Sequence, residues 1–190
     1  YMNVTKDKIS SVFFQYSIPA VLGMLAISSA GIVDGFFIGN YVGDSGLAAI
    51  NISFPIFSLL FGFALMLAIG SSVISGKLIG EGDIKSASLI FSKTMVCITF
   101  FSFLTCTVLF LNIETILHLF GADEKLTKIA IEYLSIILIF IPFLMIGVVL
   151  DYFVRVDNRP NLAFVALLLS ALINVILDWF MIVYLQKGIF

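Results

Sequence analysis

Five long apolar stretches alternate along the chain with short polar connections. A bilayer core of about 30 Å takes roughly 20 helical residues, and each stretch is long enough. The pattern predicts spanning helices over 11–39, 47–76, 87–111, 129–154 and 161–185. Pro19, Pro55 and Pro142 fall inside the first, second and fourth, where each removes a backbone donor and can bend its helix. Pro160 opens the fifth, where the missing N–H costs least. The connections "NYVGDSG" (40–46), "GKLIGEGDIKS" (76–86) and "VRVDNRPN" (154–161) are turn-rich. The stretch 112–128 is polar and amphipathic and is expected at a membrane interface. No period-two alternation predicts a strand.

Composition names the solvent. Of 190 residues, 61% are hydrophobic and 12% charged, against about 25% charged in soluble domains. The expected class is an all-α integral membrane protein. A net charge of -2 gives no basic face for nucleic acid. Cys97 and Cys106 share one apolar segment, so no disulfide framework is expected. One set of connections carries Lys6, Lys8, Lys77, Lys85, Arg155 and Arg159, joined by Lys93, and the other Lys125, Lys128 and Lys187. The excess predicts a multi-pass cell-membrane protein with its N-terminus in the cytoplasm.

Two acids lie well inside apolar runs. Asp34 comes late in the first span and Asp178 late in the fifth, so both belong to one half of the bilayer. Tyr133, early in the returning fourth span, shares that depth, and Asn174 precedes Asp178 by one turn. A lone Asp at mid-helix costs about 2.5–3.5 kcal/mol on insertion scales, so it faces protein or water. If the first, fourth and fifth spans are neighbours, the four residues converge on one pocket. A desolvated pair of carboxyls can hold a proton near neutral pH, and the same oxygens can ligate Na⁺. The bland alternative is that each is a packing polar bonded to a carbonyl or an interfacial water. Glu132 and Asp151 sit near helix ends, where water is within reach. "GDSG" (43–46) and "GEGD" (80–83) spell protease strings in loops that lack the context such sites need. His118 has no partner at metal-ligand spacing, and no enzyme is expected.

The segment "SIPAVLGMLAISSAGIVDGFFIGNYVGDSGLAAINISFPI" (17–56) resembles the opening of multidrug and toxic compound extrusion (MATE) transporters. "GEGDIKSA" (80–87) is similar to their second loop, and "NVILDWFMI" (174–182) to their Asn-x-x-x-Asp motif, although Trp179 stands where a Pro often follows the Asp. The resemblance implies most of a six-helix N-terminal lobe, with the sixth helix and a C-terminal lobe missing. It maps the lobe's cation site to Asp34, Tyr133, Asn174 and Asp178, and the helix-one bend to Pro19. It implies H⁺- or Na⁺-coupled export of amphipathic or cationic small molecules across a lipid bilayer, with no cofactor beyond the coupling ion. The rivals are a lipid-linked oligosaccharide flippase of the same superfamily and a non-transporting membrane scaffold. The flippase is disfavoured because Lys and Arg cluster in the loops rather than the spans.

Overall fold

The computed structural model describes residues 8–41 and 43–184. Lys6, Lys187 and the segment 185–190 lie outside the described residues. The order is α1 (Ile9–Tyr41), α2 (Asp44–Gly80), α3 (Ile84–Leu111), a short α4 (Ile113–Leu119), α5 (Glu124–Val156) and α6 (Pro160–Asp178). A π-helical stretch, Trp179–Tyr184, continues α6. All but α4 are long and apolar enough to cross a membrane. α1, α2 and α5 run unbroken through Pro19, Pro55 and Pro142.

Helix ends follow one backbone logic. At the end of α2, Asp83 N–H reaches the Leu78 carbonyl (2.9 Å) and Gly82 N–H reaches that of Ile79 (3.0 Å). This crossed pair needs a left-handed residue between helix and turn, and Gly82 supplies it at φ 84. Gly121 does the same after α4. After α5 the position falls to Asn158 at φ 59, with Arg159 N–H on Val154 and Asn158 N–H on Arg155. Asp83 and Asp123 then cap α3 and α5 through the N–H groups of Ser86 (3.0 Å) and Leu126 (2.7 Å).

The core is a group of three helices. α2 buries a stripe of small residues, among them Ala49, Ser53, Ala64, Ala68 and Ser72, at helical spacing. α5 opposes it with Leu134, Leu138, Ile141, Met145 and Val149. Small side chains let the two backbones approach, which is how apolar helices gain contact where lipid supplies no hydrophobic drive. α3 closes the group through Ile98, Ser102 and Cys106, and Phe63 stacks on Phe101 at 3.6 Å. Buried hydroxyls turn back onto their own helices, Ser53 to Ala49 (2.6 Å) and Thr94 to Ile90 (2.8 Å).

α1 and α6 form a second unit. They pack along each other over most of their length and meet the three-helix group at few places, α6 on α5 and α1 on α2. Gly23 marks their close approach, since a Cβ there would stand 2.9 Å from Leu167 Cδ1.

Candidate functional site

Asp34 is half-buried on the helix face that also carries buried Gly23, Ala30 and Ile38. That face lies against α6, so the carboxyl is held between helices rather than in lipid. Asp178, the last residue of α6, is half-buried too. The two carboxyls lie within hydrogen-bonding reach of one another. Neither has a donor of its own when ionised, so the contact becomes a bond only when a proton is supplied. Asp178 Oδ2 is buried and has no partner. A buried carboxylate oxygen without a donor is costly.

Tyr133 joins from α5. Its ring is half-buried against the three-helix core, near enough for the charge of Asp34 to act on it. Asn174 lies one turn before Asp178 on α6 and is exposed. The structure therefore brings Asp34, Asp178 and Tyr133 together and leaves Asn174 at the rim of the same helix. The assumed adjacency takes a specific form, in which α6 touches both α1 and α5. Among the described residues no three His, Cys, Asp or Glu side chains cluster. The site is a carboxyl pair with a phenol, suited to one proton or one hard cation bound by oxygen.

Pro19 sits in α1 four turns before Asp34. Having no N–H, it leaves the Gln15 carbonyl without its usual helical donor. Gln15 Oε1 is also buried and unpartnered. Two features escaped sequence reasoning. Tyr16 donates its hydroxyl hydrogen to Asn158 Oδ1 at 2.6 Å, across 142 residues. The π-helical stretch opens directly after Asp178, at Trp179. The left-handed Asn158 could have been suspected from "DNRP", a turn string, but nothing in it names Tyr16.

The other polar residues singled out in the sequence lie elsewhere. Asp151 accepts from Arg155 Nε (3.0 Å) and Nη2 (3.2 Å), and both side chains are 19% exposed. This is an ion pair one turn apart on α5. Glu132 is exposed. His118 Nδ1 lies 3.2 Å from the Ala122 carbonyl at the end of α4. "GDSG" starts α2 and "GEGD" makes the turn into α3.

Comparison with known proteins places these helices in a family. The MatE family model matches residues 19–180. The multidrug export protein MepA of Staphylococcus saprophyticus is 28% identical over 177 residues, covering 91% of this chain and 39% of its own length. MepA of Staphylococcus aureus strain N315 is 23% identical over 173 residues, covering 91% and 38%. An outward-facing multidrug resistance MATE family transporter superposes with a TM-score of 0.87 at 24% identity, covering 92% of this chain and 38% of that one. A MATE in complex with MaD3S gives the same TM-score and identity. The two likenesses in structure show the fold, and the chain spans about two-fifths of the length of these relatives. From the match over residues 19–180, the chain belongs to the MatE family.

Proposed function

We propose that this chain supplies the ion-coupling half-site of a cation-driven exporter of amphipathic organic compounds. The observation that carries the reading is the pairing of Asp34 and Asp178, two half-buried carboxyls within hydrogen-bonding reach between α1 and α6. H⁺ or Na⁺ entering from outside neutralises the pair, α1 rearranges relative to α6 about Pro19, and substrate is released. Discharge of the ion on the other side resets the cycle. With the N-terminus in the cytoplasm, the pair faces the outer half of the bilayer, where the ion enters. The names of the relatives, multidrug export proteins, support the substrate class. Family members are transporters, which favours transport over catalysis.

The energies are compatible. One charge moving down 100 mV supplies about 2.3 kcal/mol. A hundredfold gradient of neutral substrate costs about 2.7 kcal/mol, since each factor of ten is about 1.4. A modest ion gradient makes up the difference.

The test is ion-driven efflux by the whole protein in proteoliposomes, comparing wild type with Asp34→Asn and Asp178→Asn. Each variant is expected to lose gradient-driven efflux while still binding substrate. Unimpaired coupled efflux by either rejects the role.

A further inference from the structure

α1 and α6 run parallel and in register. Gly23 lies eleven residues before Asp34, and Leu167 lies eleven before Asp178. At the far end of the pair, Tyr16 on α1 meets Asn158, two residues before α6 begins. The two helices are thus tied at three levels. The tie at the acids depends on charge, because it holds only with a proton or cation between the carboxyls. The middle tie is a glycine against a leucine side chain, which fixes how close the helices come but not how far one slides along the other. Only the Tyr16–Asn158 bond is, among the described hydrogen bonds, both directional and independent of the ion.

Asn158 carries a second sign of this role. Gly82 and Gly121 end their helices with the same crossed backbone pair and do so without a side chain. Glycine is the usual residue at such a left-handed position, which disfavours most others. Asparagine adds a side-chain oxygen, Oδ1, which accepts from Tyr16.

We infer that Tyr16 and Asn158 are positioning residues that pin the axial register of α1 on α6 and thereby hold Asp34 opposite Asp178, about 27 Å away along the helix. The pin lies before Pro19 and the acids lie after it. The inference rests on the reading of Asp34 and Asp178 as an ion-coupling pair, but its test is separate.

The experiment places nitroxide labels at Ile32 and Ile176 in the full chain in lipid nanodiscs, with Cys97→Ser and Cys106→Ala removing the native thiols. Both label sites are exposed and lie at matching levels, two residues before Asp34 and Asp178. Double electron–electron resonance reports the label separation, and with it the close-range population at the acid end. Tyr16→Phe and Asn158→Gly are each expected to lower it roughly fivefold, the weight of one ordinary hydrogen bond. Asn158→Asp keeps an acceptor oxygen and is expected to restore it, which a merely turn-forming role would not require. A wild-type spectrum from Tyr16→Phe, or equal losses from Asn158→Gly and Asn158→Asp, overturns the pin. Tyr16→Phe keeps the ring, so it decides the matter alone should Asn158→Gly not fold. Titrating the unmutated pin with acid and with Na⁺ tests the ion reading; the groups facing the pair are Asp34 from α1, Asp178 from α6 and Tyr133 from α5. An ion-insensitive distance that still responds to Tyr16→Phe rejects the ion reading and keeps the pin.

Discussion

At the scale of single residues, cost sorts the polar groups. A charged group in hydrocarbon must find a partner. Asp151 finds Arg155 on its own helix, whereas Asp34 and Asp178, among the described residues, face each other between α1 and α6. That contrast sets Asp151 apart from the pair, and the depth of both acids of the pair was legible because it can be counted from the ends of apolar runs. Asn174 was less legible. Residues four apart on a helix differ by about 40° in direction, so one at the edge of an interface is covered and its neighbour exposed. Asp83 shows the simpler chemistry of loops. Hydrogen bonds from the Ser86 side chain and then its N–H hold the Asp83 carboxyl below the usual carboxylate range. Its contribution to stability is therefore present above the unfolded carboxyl value and is lost as pH falls through the lower folded value. The protection factor of the Ser86 amide is expected to fall in acid through that window, and Asp83→Asn, which caps without titrating, is expected to flatten the dependence. An unchanged acid dependence in Asp83→Asn contradicts the assignment.

At the scale of helices, the existence of each span follows from length and hydropathy, but the pairing does not. In lipid a helix is apolar on every side, so no polar face announces which side meets protein. The partnership of α1 with α6, far apart in sequence, rests on a glycine, a tyrosine and an asparagine whose roles only the packed structure reveals. The small-residue stripe of α2 is a sequence feature whose partner, α5, had to be seen. Ala64 is fully buried in that stripe. Ala64→Leu has no room to enter and is expected to destabilise the fold by about 1–3 kcal/mol through overpacking. Thermal unfolding in detergent checks this, with Met66→Leu, at an exposed position of the same helix, expected to stay close to wild type. Equal losses for the two would contradict the α2–α5 seam.

At the scale of the whole molecule, a tight three-helix group carries a looser pair, and the acids stand on that pair. Such a division suits a device in which α1 and α6 respond to an ion while α2, α3 and α5 hold their shape. Large apolar side chains such as Leu59, Val96 and Phe100 are exposed on the three-helix group, as a lipid-facing surface requires. The central claim is that Asp34 and Asp178 together take up a cation. Trp179, the single tryptophan of the 190 residues, adjoins Asp178 and stacks on Tyr184 at 6.5 Å. Its emission in nanodiscs, followed against pH and against Na⁺, is the most direct measurement. The account predicts a saturable change on adding acid or Na⁺ that Asp34→Asn and Asp178→Asn both abolish. Emission that ignores both ions, or a response that survives in both variants, would contradict it.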